Sequence, residues 1–94
     1  MEVGRLVFRL HAVQRMAERD IGVHDVRRVL ETGEIIREYP DDTPYPSQLI
    51  LGWLGTRPVH VVVAMNTLAN EAIVITVYQP GPNEWEMDFR RKRQ

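Results

Sequence analysis

The sequence predicts an α+β domain in which two N-terminal helices, a four-stranded antiparallel sheet and a C-terminal helix form two layers. Apolar residues recur at helical spacing up to residue 32 and at strand spacing from residue 34 onward. Only short turns separate most of the strand-like segments, which favours antiparallel pairing of neighbours. After the last segment, Trp85 and Phe89 stand four residues apart, the spacing of a packing pair on a helix.

The two N-terminal helices are predicted from their apolar stripes and their ends. The first spans His11–Arg19 and follows the apolar run 6–8, which is a short strand or an extended lead-in. Its apolar arc consists of Leu10, Val13, Met16 and Ala17. The second helix spans Val23–Thr32, with Gly22 as its N-cap and Gly33 at its C-terminal end.

Four strands are predicted between residues 34 and 78. They cover Glu34–Tyr39, Ser47–Leu54, Val59–Met65 and Ala72–Tyr78. Three prolines between residues 40 and 46 exclude regular structure there, and Gly55–Pro58 is typical of a hairpin turn. Simple alternation places one set of side chains on the same face of the last strand: Ala72, Val74, Thr76 and Tyr78. Pro82 can open the C-terminal helix, in which acidic residues precede basic ones.

The domain organisation is predicted to be one globular domain over residues 1–89 and a basic C-terminal tail over residues 90–94. Hydrophobic residues make up 44% of the chain and charged residues 27%, values typical of one soluble domain. The absence of cysteine excludes disulfides and thiolate metal sites and favours a reducing cytoplasm. The apolar runs are far shorter than a membrane span, so no membrane association is expected.

The net charge of −1 hides an uneven distribution. Residues 38–89 contain one base, Arg57, against seven acids, while residues 90–94 carry four positive charges. Such a basic run is either a solvated chain end or a sequence-independent attraction to nucleic acid. Arg57 is isolated among acids and needs a partner, which is Asp41, Asp42 or an anionic ligand.

Two groups of side chains could carry chemistry. His11, Arg15 and Arg19 are spaced four apart and form one ridge on the first helix. The ridge is either a solvated helix face or a phosphate-facing surface on which His11 moves a proton. His60 lies in an apolar strand, where it is either a hydrogen-bonded structural residue or an imidazole that binds or acts on a substrate. Tyr78 either packs at the sheet end or orients a phosphate or donates a proton.

The sequence contains no motif for a metal site or a nucleotide loop. Its three histidines share no spacing at which metal ligands recur on a helix, and no phosphate-binding glycine loop occurs. No metal and no other cofactor are therefore expected.

Four segments resemble, in order, a small prokaryotic family known only as a domain of unknown function. They are residues 11–21, 32–36, 57–62 and 75–80. That family resembles the RelE-like and BrnT-like toxins of type II toxin–antitoxin modules. The resemblance implies a two-layer RelE-like fold and metal-independent cleavage of RNA.

The resemblance also implies site residues and partners. Cleavage needs groups that carry protons and cations that hold the phosphate. On this basis the catalytic residues are His11, His60 and Tyr78, and the phosphate-binding residues are Arg15, Arg19 and Arg57. The implied partners are RNA and a small antitoxin of the zinc-finger or helix-turn-helix type, and a homo-oligomer is an alternative assembly.

Two hypotheses from different functional classes follow. A ribonuclease requires one open cleft lined by His11, Arg15, Arg57 and His60. A non-enzymatic module that binds a partner protein, or a second copy of itself, would instead expose an apolar or acidic patch around residues 41–45 and Trp53.

Overall fold

The computed structural model describes all 94 residues and shows two helices packed on one face of a five-stranded mixed sheet. The elements are, in chain order, β1 (Arg5–Phe8), α1 (Leu10–Arg19), α2 (Val23–Thr32), β2 (Glu34–Tyr39), β3 (Ser47–Leu54), β4 (Arg57–Asn66) and β5 (Glu71–Tyr78). Across the sheet the strands lie in the order β1-β5-β4-β3-β2. Neither helix has the length and apolar character needed to cross a lipid bilayer.

The predicted fold class was wrong about the sheet, which has five strands and is not wholly antiparallel. β1 adds to the edge of β5 in parallel orientation, pairing Arg5 with Glu71 and Phe8 with Val74. The other three strand pairs are antiparallel. The apolar part of β1 is only the three residues 6–8, which is too short to show a period. The strand that β1 pairs with is β5, which is more than 60 residues later in the chain, so the local sequence pattern could not identify β1 as a strand of this sheet.

The predicted C-terminal helix was also wrong. Residues 80–94, called the C-terminal segment below, form turns and one isolated bridge between Trp85 and Lys92. Phe89 has a φ of 57°, in the left-handed region that a right-handed helix excludes. Trp85 is buried against the sheet face that the helices leave open. The free energy gained by burying this large side chain exceeds the local preference of these residues for a helix.

The two faces of the sheet have different coverings. The inner face and the helices share one hydrophobic core, made up of Ala12, Met16, Ile21, Val26, Val29, Leu30, Ile50, Val59, Val61, Val63, Ala72, Val74 and Val77. The opposite face, called the outer face below, carries the buried side chains of Leu49, Leu51, His60 and Ile73. The C-terminal segment crosses this outer face, since Trp85 lies on His60 and Phe89 lies on Trp53.

Helix α2 has the predicted bounds and the predicted ends. The backbone N–H of Gly22 donates to the Asp25 carboxylate over 2.9 Å, which fixes the N-terminal turn. The helix approaches β3 closely at Gly52, where an added Cβ would lie 2.7 Å from a methyl carbon of Val29. Glycine is required here because the space is filled by the Val29 side chain.

Helix α1 is rotated from the predicted orientation. Met16 is buried as expected, but its partner in the core is Ala12. Leu10 is 72% exposed and Val13 is 47% exposed, although both belong to the predicted apolar arc. The reason is that α1 contacts β5 through a narrow arc formed by Ala12 and Met16. Leu10 and Val13 lie beside this arc and remain exposed to solvent.

A bulge in β5 changes which side chains share a face. The register shifts by one residue between Val62 and Val63, because Val62 pairs with Thr76 while Val63 pairs with Val74. The extra residue is Ile75, so side chains before and after it alternate out of phase. The predicted common face for Val74 and Tyr78 was therefore wrong. Val74 belongs to the core, whereas Tyr78 lies on the outer face opposite His60.

Candidate functional site

His60 and Tyr78 form a hydrogen-bonded pair on the outer face of the sheet. His60 is fully buried, and its Nδ1 lies 3.1 Å from the hydroxyl of Tyr78. Its Nε2 lies 2.8 Å from the carbonyl oxygen of Phe89 in the C-terminal segment. A carbonyl can only accept, so Nε2 carries the proton and Nδ1 accepts from the Tyr78 hydroxyl. Both ring nitrogens are thus occupied by protein groups.

The surroundings hold His60 neutral. Burial lowers the pKa of His60, the Phe89 carbonyl opposes this shift, and the positive charge of Arg37 adds to the lowering. Burial also raises the pKa of Tyr78, which keeps its hydroxyl protonated and able to donate. Both pKa shifts agree with the hydrogen-bond directions set by the geometry.

Trp85 covers this pair. The centroid of its ring lies 4.5 Å from that of His60, with the ring planes at 89°. The guanidinium of Arg37 lies 5.7 Å from the Trp85 ring centroid, and the ammonium of Lys92 lies 5.9 Å from it. Both cations are within the range of cation–π attraction. The indole therefore connects the buried pair below it with a positively charged surface.

The C-terminal segment is fastened to the sheet by charged groups as well. The Arg90 Nε lies 2.9 Å from each carboxylate oxygen of Glu34 on β2. This hydrogen bond lowers the pKa of Glu34 and raises the pKa of Arg90. Arg93 donates from Nε to the carbonyl of Pro82 over 2.9 Å, which closes the segment on itself.

A basic cavity of about 580 Å³ opens between β2 and the C-terminal segment. It is lined by Arg37, Glu86, Arg91, Lys92, Arg93 and Gln94. Arg91 forms ion pairs with Glu86 at 3.7 Å and with Asp88 at 3.4 Å. The other three cations, Arg37, Lys92 and Arg93, form no ion pair with a carboxylate. The cavity therefore holds uncompensated positive charge suited to an anion.

The ridge on α1 lies on the other side of the sheet. His11, Arg15 and Arg19 are all exposed, and Arg15 pairs with Glu18 at 3.3 Å. Arg57 donates from Nη2 to the backbone carbonyl of Arg19 over 2.8 Å. Its Nε is buried and has no hydrogen-bond partner. The partner of Arg57 is thus the C-terminal end of α1, where the helix dipole favours a cation, rather than Asp41 or Asp42.

The sheet divides the six predicted site residues into two groups. The outer face brings together His60 and Tyr78. The helix side carries His11, Arg15, Arg19 and Arg57. A single open cleft containing both groups is not formed, since His60 is sealed beneath Trp85 while the ridge faces solvent. The patch expected around residues 41–45 and Trp53 is not continuous either, because these residues lie at opposite ends of β3.

The chain matches a known protein family over most of its length. Residues 8–79 match the family described as Domain of unknown function (DUF4258). The chain belongs to the DUF4258 family. No curated protein and no solved structure is significantly similar to it.

The DUF4258 match ends immediately before the C-terminal segment. Arg37, His60 and Tyr78 lie within the matched region, whereas Trp85 and Lys92 lie beyond it. The basic cavity is therefore built jointly by the DUF4258 region and the segment that follows it.

The sequence drew attention to the C-terminal cations of the basic cavity but not to Arg37, its cation from β2. The run Arg90–Arg93 was predicted to be either a solvated chain end or a source of attraction to nucleic acid. Nothing marked Arg37, which lies in a strand where a solvated arginine is ordinary. Trp85 was predicted to be a packing residue, which its burial confirms. The structure also contains no group of three or more His, Asp or Glu residues that could hold a metal ion.

Proposed function

We propose that this DUF4258 domain is an RNA-targeting domain of the RelE-like or BrnT-like toxin type, and that the basic cavity receives the phosphate backbone. One observation carries the proposal: Arg37, Lys92 and Arg93 line the same cavity and lack carboxylate partners. Phosphate contacts of this kind supply most of the sequence-independent affinity of proteins for nucleic acid. The local charge matters more than the net charge of −1, since screening limits attraction to about 8–10 Å.

Metal-independent cleavage is the further part of this proposal, with His60 and Tyr78 as the groups that move protons. In the folded arrangement His60 has no exposed surface and both nitrogens are bonded. A proton can reach the imidazole from RNA only after the C-terminal segment lifts from the outer face. Cleavage by this pair therefore requires the Phe89 carbonyl and the Trp85 ring to move away from His60. This movement also separates Lys92 and Arg93 from Arg37, so the basic cavity is the site at which RNA binds before cleavage.

The binding part is tested with a fluorescently labelled single-stranded RNA, by anisotropy at several salt concentrations. Arg37→Ala and Lys92→Ala should each weaken binding and lower the slope of log affinity against log salt by about one. Arg9→Ala removes an exposed charge on the helix side and serves as the control. Equal affinities for all four proteins would refute the cavity as the RNA site.

The toxin part is tested by induced expression in a bacterial host. Wild-type protein should arrest growth and produce cleaved RNA in the lysate, whereas the Arg37→Ala/Lys92→Ala double variant should not. Normal growth with soluble wild-type protein would remove the toxin assignment, and the anisotropy experiment would still decide RNA binding separately.

A non-enzymatic protein-binding module is the second candidate, and a specific observation favours it. Leu10, Val13 and Ala17 are exposed at i, i+3 and i+7 on α1, so they form an apolar stripe without a partner. The sealed position of His60 also fits a protein without catalysis. Co-expression with the product of a neighbouring gene tests this candidate. The partner should co-purify with wild type and be lost with Leu10→Glu, while Arg9→Ala retains it.

A further inference from the structure

Trp53 is an exposed aromatic side chain at the end of β3. It is 46% exposed, in contrast to the buried Trp85. The ring of Phe89 meets it edge-on, with centroids 5.9 Å apart and the planes at 75°. This contact fixes the indole on the C-terminal segment and leaves nearly half of its surface open. An indole that is fixed by a neighbouring ring and partly exposed to solvent can stack on a flat ring of a ligand.

Two cavities border Trp53, and both also include Arg28 of α2. Their volumes are about 320 Å³ and about 310 Å³, at the lower end of the range for small-ligand sites. Thr32 contributes a hydroxyl to the first cavity. Arg28 forms no ion pair, so its guanidinium is available to a ligand in either cavity.

The charge around Trp53 is close to balanced. Arg90 lines the first cavity but is paired with Glu34, and Asp25 lines the second. Binding here would therefore depend mainly on stacking. The basic cavity nearby differs in this respect, since its cations are uncompensated.

The two sites are adjacent along the chain. Arg90 borders the Trp53 cavity, and the next residues, Arg91, Lys92 and Arg93, border the basic cavity. An extended ligand with charged links and flat rings that follows residues 90–93 would meet both cavities. Single-stranded RNA has this composition, and it is commonly bound by a positive groove combined with aromatic stacking.

From these observations we infer that Trp53 is a stacking platform for an unpaired RNA base, with Arg28 lining the same cavities. This inference rests on the proposed RNA binding and extends it from the phosphates to a base. A protein contact at Trp53 is the competing use, because exposed tryptophans are also frequent at protein interfaces.

The test uses a single-stranded uridine decanucleotide with wild type, Trp53→Ala, Trp53→Phe and Arg37→Ala. Trp53→Ala should weaken binding by about tenfold while leaving the salt slope unchanged, because stacking involves no phosphate charge. Arg37→Ala should lower the salt slope instead. Trp53→Phe keeps an aromatic ring and should retain most of the affinity. A wild-type urea midpoint and a wild-type salt slope for Trp53→Ala separate the loss of stacking from a folding defect or a displaced C-terminal segment.

Tryptophan fluorescence provides a second readout. The decanucleotide should quench the wild-type emission, and most of this quenching should be lost in Trp53→Phe, because the remaining indole, Trp85, is buried beneath Arg37 and Lys92 and cannot stack on a base. Wild-type affinity in Trp53→Ala together with weaker binding in Arg37→Ala would overturn the platform and leave RNA binding intact. Absence of binding by every protein would overturn both proposals. Loss of a co-purified partner protein in Trp53→Ala, with unchanged RNA affinity, would assign Trp53 to a protein contact and overturn the platform.

Discussion

His60 and Tyr78 are direct cross-strand partners in β4 and β5, with the imidazole Nδ1 3.1 Å from the phenolic oxygen. The bulge at Ile75 produces this relationship, because it turns the end of β5 so that Tyr78 faces outward. Each polar group satisfies the other on a largely apolar face. The pair therefore stabilises the fold whether or not it takes part in catalysis.

Replacing Tyr78 with phenylalanine should destabilise the protein by about 1–3 kcal/mol, because the buried Nδ1 of His60 loses its only donor. A change of tautomer does not help, since Nε2 would then face the Phe89 carbonyl without a proton. Urea unfolding measures the loss. Tyr39→Phe, on the exposed edge strand β2, is the matched control and should unfold like wild type. A Tyr78→Phe midpoint equal to that of wild type would show that the hydrogen bond adds no stability.

Stability should fall as the pH is lowered from 8 to 5. The pKa of His60 is lowered in the folded protein, whereas in the unfolded chain it returns to about 6.5. Below that value the unfolded chain binds more protons than the folded one, so protonation favours unfolding. The slope for one histidine is at most about 1.4 kcal/mol per pH unit.

Urea midpoints across this pH range check the effect of His60. His60→Gln should flatten the profile, whatever its stability at pH 8. His11→Gln changes only an exposed histidine and should keep the wild-type profile. A wild-type profile that stays level from pH 8 to pH 5 would contradict the assignment of a neutral, buried imidazole.

Arg57→Ala should lower the stability by about 1–2 kcal/mol, because a cation is removed from the C-terminal end of α1. Arg57→Lys keeps the charge and should recover part of the loss. Thermal unfolding followed by far-UV circular dichroism measures both variants. If Arg57 binds phosphate, Arg57→Ala should instead weaken RNA binding and leave the stability unchanged. That result would assign Arg57 to RNA binding rather than to the end of α1.

Gly52→Ala should destabilise the domain by about 1–3 kcal/mol, because the new Cβ would lie 2.7 Å from the Val29 side chain. Helix α2 would have to move away from β3. Gly81→Ala is the control, since the nearest atom to its added Cβ is a Glu84 carboxylate oxygen at 3.6 Å. Denaturant midpoints of the two variants should differ clearly, and similar values would mean that α2 can shift at little cost.

Local patterns predicted most of the secondary structure. The bounds of α2, β2 and β3 agree with the sequence prediction residue for residue, and the other predicted helix and strands shift by one or two residues at their ends. These elements are long enough for several side chains to repeat at the helical or strand period. The prediction of a C-terminal helix was wrong because it depended on a single pair of apolar residues at helical spacing, Trp85 and Phe89.

The candidate site was less predictable than the fold. The sequence drew attention to His60, and the hydrogen-bonded structural alternative describes its observed contacts. It did not reveal that Trp85 seals His60, or that Arg37 joins the C-terminal cations in one cavity. These groups come from β2, β4 and the C-terminal segment, and spacing along the chain carries no information about such distant contacts.

The amino-acid pattern alone was enough to predict α1, α2 and the strands β2–β5, the basic character of residues 90–93 and the short list of residues with acid–base chemistry. The parallel pairing of β1, the fold-back of the C-terminal segment and the separation of His60 from the α1 ridge became visible only in the three-dimensional structure. Side-chain periodicity records whether a segment has a buried face. Which other segment covers that face depends on packing between residues far apart in the chain.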